Sequence, residues 1–248
     1  MSATGQRASE RGAVPAGAGR RPAVSMRTAV AALLRKELLV ELRTLESVPG
    51  MSLFALSTFV EFHFALNRNT VDGDLAAGIL WVTLLFAALL GVNRLFVADA
   101  EDGGFEGFLL APAERGALLL AKELALLIYL VVLELVAVPA FVLLLAPPFA
   151  HALPDLLLVL ALGDIGVAVV GTLVAALAVR TRARDLLGPL LGLPLMVPIV
   201  IGGARASSPL FAAEHAGGPA ARWLATLALY DLIFGLIAYA VFDFLLED

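Results

Sequence analysis

Six long apolar runs, at roughly 48–66, 75–97, 117–145, 155–178, 186–204 and 222–246, leave this chain few ways to fold. About 20 consecutive apolar residues cross a bilayer as a helix, and within lipid only helices and closed barrels satisfy every backbone polar group. Charged residues make up 16% of the chain, where a soluble domain carries about 25%. The sequence therefore predicts an all-α, polytopic membrane protein with six transmembrane helices.

Residues 1–25 are rich in Ala, Gly, Arg and Pro without apolar periodicity, which predicts a disordered tail ahead of a single membrane domain at 26–248. Arg20-Arg21 lacks the apolar core that a twin-arginine export signal needs soon after it. Residues 26–47 predict a helix with Val30, Leu34, Leu38, Leu42 and Leu45 at helical spacing. It is too charged to span and reads as an interfacial helix with its basic face toward lipid phosphates. Glu37 and Glu41 fall inside its apolar stripe with no basic residue three or four positions away. They read either as a wet helix edge or as a contact to a basic partner surface. The fifth run holds Pro189, Pro194 and Pro198, which predicts a kinked or broken helix.

Orientation follows from the basic residues. With the N-terminus inside, only Arg68, Arg205 and Arg222 of the 17 Lys and Arg residues fall outside. The positive-inside rule then places both termini in the cytoplasm. Arg180, Arg182 and Arg184 read as part of this signal rather than as a substrate clamp. The acidic break at 98–112, ADAEDGGFEGFLLAP, faces the cytoplasm. In it Phe105, Phe108 and Leu109 have helical spacing, Asp102 and Glu106 form an acidic pair one turn apart, and Pro112 ends the segment. This predicts a short amphipathic cytoplasmic helix between spans 2 and 3, lying on lipid or entering a groove on a soluble partner.

Glu61, His63, Glu134, Asp164 and Asp231 lie within the predicted spans, in their middle or outer halves. Such groups are costly in lipid and face a protein interior or a wet cavity. They read as a polar cluster opening outward, or as helix ends that water reaches. His63, His151 and His215 all lie toward the outer face, where a haem iron could take an axial histidine. His151 and His215 sit in loops, where a solvated imidazole is the ordinary outcome, so no haem or metal ligand is assigned. The chain has no cysteine, which excludes disulfides, thiolate metal sites and covalent haem attachment. It has no GxxxxGK[ST], HExxH or GxSxG motif, so neither nucleotide binding through a P-loop nor these hydrolytic chemistries is expected.

The stretch GILWVTLLFAALLGVNRLFVADAEDGGFEGFLLAPAERGALLLAKELA resembles the cytochrome c maturation protein B family, the haem exporter protein B membrane subunits. The pattern is GxLW, NRxF, EDGxxEGxLLAP and then a lysine heading the next span. RKELLVELRTLES and GLPLMVPIVIGGA extend the likeness over roughly 26–246. His63, in EFHF, departs from the asparagine expected of relatives. The resemblance implies the permease subunit of an ABC-type complex in the bacterial inner membrane, acting in haem export or haem-chaperone release for cytochrome c maturation. ATP would act through a separate cytoplasmic ATPase subunit. Further implied partners are a haem-handling membrane protein, a periplasmic haem chaperone, membrane lipid and a second copy of the chain; nucleic acid is not among them. Haem is then the candidate substrate, with no directly bound cofactor and no enzymatic activity of the chain's own. Asp102, Phe105, Glu106, Phe108 and Leu109 become a coupling helix for the ATPase. A generic export permease, or a non-transporting scaffold for ATP-driven chaperone release, remains the alternative.

Overall fold

The computed structural model describes residues 25–68, 70–96, 115–148, 152–179, 184–212 and 218–245. Among these, seven α-helices and no strand are found: α1 (Met26–Thr44), α2 (Ser47–Leu66), α3 (Gly73–Arg94), α4 (Arg115–Leu145), α5 (Leu153–Val179), α6 (Arg184–Ser207) and α7 (Ala221–Leu245). A short 3-10 turn, Ser208–Phe211, follows α6. Six helices, α2 to α7, are long and apolar enough to cross a membrane, and the chain is a multi-pass membrane protein. Their bounds lie within a few residues of the six apolar runs.

The helix α1 begins at Ser25, whose side chain caps the amide of Thr28, and ends at Leu45 in the left-handed conformation. The chain then turns directly into α2. Glu41 spans the joint: its carboxylate accepts from the Ser47 amide at 3.0 Å and the Val48 amide at 2.8 Å. A carboxylate on the first free amides of a helix satisfies donors that have no helical partner and complements the helix dipole.

The six long helices alternate in direction. One end of the bundle carries α1 and the other carries the 3-10 turn. At the latter, the Val71 amide donates to the Leu145 carbonyl, and Arg205 pairs with Asp74 at 3.2 Å. Helix α3 is the centre, with most of its side chains buried, whereas α2 and α7 bury few and are the peripheral helices. Aromatic rings stitch the far end together. Phe59 of α2, Phe141 of α4 and Phe211 of the 3-10 turn form a tilted series with centroids 5.5 and 5.6 Å apart.

Of the kinked or broken helix expected of the fifth run, the break is absent: α6 is continuous through Pro189, Pro194 and Pro198, from Arg184 to Ser207. Tyr230 of α7 joins the two helices here, its hydroxyl donating to the Leu195 carbonyl at 2.5 Å. Lipid-embedded helices tolerate proline where neighbouring groups satisfy the freed carbonyls.

Candidate functional site

Sequence periodicity put leucines on the inner face of α1, and the structure turns the helix differently. Ala29, Val30 and Glu41 are buried, whereas Leu42 and Leu45 are 70% and 60% exposed. The face toward the bundle is Ala29, Val30, Leu33, Glu37 and Glu41. It packs small side chains against Ala117 and Ala121 of α4. The reason lies 85 residues away. Lys122 of α4 is 1% exposed and its Nζ donates to Glu37 at 2.8 Å. The same ammonium donates to the Leu95 carbonyl at 2.7 Å and stands 5.0 Å from the centre of the Phe96 ring. Tyr129 adds a hydrogen bond to the Glu37 carbonyl at 3.4 Å. Glu37 and Glu41 are thus engaged inside the chain, Glu37 by a lysine and Glu41 by the start of α2. This corrects the expectation of a wet helix edge. Leu95 and Phe96 immediately precede residues 97–114, so Lys122 ties α1, α3 and α4 together where that connection departs. The expected helix carrying Asp102, Phe105, Glu106, Phe108 and Leu109 lies outside the described residues.

The intramembrane polar residues divide into separate places. Glu134 of α4 and Asp164 of α5 come together as lining of one small cavity. Each sits roughly 16 Å from the α1-distal end of its helix at 1.5 Å per residue, the middle of a bilayer core about 30 Å thick. Asp231 of α7 lies at nearly the same depth but over Gly166, where a Cβ would stand 2.5 Å from its Oδ1. Gly166 is two residues from Asp164 and so on a different face of α5. Glu61 and His63 are exposed on α2. His63 Nδ1 donates to the Leu144 carbonyl at 2.5 Å, which occupies one ring nitrogen within the chain. His151 and His215 lie outside the described residues, and no group of three metal-ligating side chains is found among those described.

Trp81, the last residue of GILW, was not singled out for a role by sequence reasoning. Its indole lies between α5 and α6, and a Cβ on either Gly163 or Gly203 would collide with the ring. Its Nε1 donates to Ser207 Oγ at 3.0 Å, and Ser207 donates onward to the Gly203 carbonyl at 2.8 Å. The ring lines a small cavity together with Glu134 and Asp164.

Comparison with known proteins fixes the kinship. The family described as CcmB protein matches residues 28–242. The chain belongs to the CcmB family. It is 32% identical over 214 residues to heme exporter protein B of Bradyrhizobium diazoefficiens, covering 86% of this chain and 96% of the relative. It is 37% identical over 158 residues to heme exporter protein B of Pseudomonas aeruginosa, covering 64% and 70% respectively. The protein of the same name from Rhodobacter capsulatus is 42% identical over 138 residues, 56% of this chain and 63% of the relative. The CcmB match extends over every helix, from α1 to all but the last residues of α7.

Proposed function

We propose that this chain is the permease subunit of an ABC-type haem export system serving cytochrome c maturation. The observation that carries the reading is a CcmB match over 28–242 with relatives named heme exporter protein B. The chain has no P-loop, so the energy comes from a cytoplasmic ATPase on another polypeptide. The distribution of basic residues supports an orientation with the α1 end of the bundle in the cytoplasm and the 3-10 turn on the outer side of a bacterial inner membrane. A haem-handling membrane protein and a periplasmic haem chaperone complete the system, with haem as the cargo.

The ATPase docks on residues 98–112. Buried aromatic anchors dominate interfaces of this kind, and truncating one costs about 2 kcal/mol or more. Phe105→Ala combined with Phe108→Ala is expected to leave the protein in the membrane and abolish copurification of the ATPase. Retention of the ATPase by the inserted double variant removes this assignment.

A second copy of the chain covers α2. Glu61 is exposed on this helix together with Phe64, which is 76% exposed, and Leu53, at 66%. A carboxylate facing lipid is costly, and an interface removes that exposure. Because the chain lacks cysteine, Ser57→Cys introduces a single thiol one turn before Glu61 on the same exposed face. Mild oxidation is expected to yield a dimer of this chain in membranes, whereas a monomer, or a crosslink only to another subunit, gives the face to a different partner.

A further inference from the structure

Glu134 and Asp164 pose a problem that permease architecture does not require. Both carboxyls sit at mid-depth in an apolar bundle, and Asp164 is 7% exposed. Glu134 Oε1 and Asp164 Oδ2 are buried without a hydrogen-bond partner. Both residues line a cavity of about 20 Å³, together with Trp81, Leu84, Leu130 and Val200 among others. A cavity needs roughly 10–15 Å³ to hold one water, which in turn needs two or more polar partners. The two orphan oxygens supply them.

We propose that Glu134 and Asp164 form an intramembrane binding site for one shared proton and one water. The chemistry follows from the inventory of donors. Two carboxylates are acceptors only, so a hydrogen bond between them requires a proton on one. Two adjacent negative charges in apolar surroundings repel with little screening, and the shared proton removes one of them. Among the described residues no third His, Asp or Glu joins the pair in a metal-binding group. That favours a proton over a divalent cation.

Only Glu134 and Asp164 titrate among the residues lining the cavity. The other titratable groups on the packed elements stand elsewhere. Asp231 and Tyr230 are on α7, with Asp231 over Gly166 and Tyr230 bonded to Leu195. Asp74 of α3 and Arg205 of α6 pair at the α1-distal end. Lys122, Glu123 and Tyr129 lie toward the α1 end of α4, with Glu37 and Glu41 of α1 beside them. Glu61 and His63 are exposed on α2.

The chain carries its own reporter. It has two tryptophans, so Trp223→Phe leaves Trp81 alone to report on the cavity it lines. The full-length Trp223→Phe protein in lipid nanodiscs is titrated from acidic to alkaline buffer while infrared difference spectra and Trp81 emission are recorded. The expected result is a protonated-carboxyl C=O band that shifts in heavy water and vanishes at alkaline pH. Trp81 emission should change with the same midpoint. Both signals should disappear in Glu134→Gln and in Asp164→Asn, whose amides match the volume of the protonated acids. Isotope labelling of the unsubstituted chain serves as the check independent of folding. Carbonyl-labelled aspartate and carbonyl-labelled glutamate should each displace the band. A band moved by the aspartate label alone and lost in Asp231→Asn assigns the proton to Asp231 and overturns the pair. So does the lack of any titrating carboxyl band.

Discussion

Lys122→Ala is expected to cost about 3–5 kcal/mol of stability, because removing one partner of a buried ion pair strands the other. Glu37 would then keep only the more exposed Lys36, at 3.5 Å, and the Leu95 carbonyl would lose the Lys122 ammonium. The loss is read as a lower unfolding temperature of the detergent-solubilised protein, followed by size-exclusion chromatography. Protease sensitivity around α1 should rise in the same variant. The control is the double replacement Lys122→Met with Glu37→Leu. Matched apolar side chains often equal or exceed a buried ion pair in stability. The double variant should therefore recover most of the loss. If Lys122→Ala melts with the unsubstituted protein, the ammonium is not the tie between α1 and the bundle.

Trp81→Ala should be comparably damaging. Truncating a buried tryptophan or phenylalanine to alanine typically costs about 3–5 kcal/mol through lost transfer energy and the cavity left behind. Here the ring fills the space between α3, α5 and α6, and Gly163 and Gly203 leave no side chain of their own to collapse into the gap. Trp81→Phe should be milder, since most of the volume stays and only the bond to Ser207 is lost, at about 1 kcal/mol. Gly203→Val tests the contact from the other side. Its Cβ would enter the indole, so it should destabilise by about 1–3 kcal/mol, the usual range for overpacking. Equal melting of Trp81→Ala and the unsubstituted chain would show that the ring is not a packing element.

The helices were legible because the bilayer imposes a length. Runs of the right size marked all six spans, and the structure moves their ends by only a few residues. Even span 1, interrupted by Glu61 and His63, forms α2 as expected. The rotation of α1 was not legible. Its Leu stripe carries the stronger local periodicity, but the buried face is decided by Lys122, a residue distant in sequence. Local patterning cannot weigh a partner that the fold brings in from another helix. In α6 three prolines argue locally for a kink or a break, and the helix runs on without a break. Of the intramembrane acids, the sequence supplied their depth and the structure supplied their pairing. Glu134 and Asp164 meet only because α4 and α5 run antiparallel from a short connection, which places equal distances from that connection side by side. Trp81 had a signal in its sequence, a large aromatic residue in a span where glycines recur in other spans, but nothing local tells which glycines it will face.

The dependence of α1 on α4 has a consequence for how the protein is made. A nascent chain emerges N-terminus first, so Glu37 and Glu41 appear long before Lys122, 85 residues after Glu37. During that interval α2 and α3 must thread the membrane while α1 waits at the surface with Glu37 paired only to Lys36. Glu41 can settle at once, since Ser47 and Val48 follow it closely, and it fixes the hinge between surface helix and first span. The buried partner of Glu37 arrives only with the third span. Final seating of α1 is thereby a late event in biogenesis, a latch that closes only on a chain whose first three spans have been threaded in order.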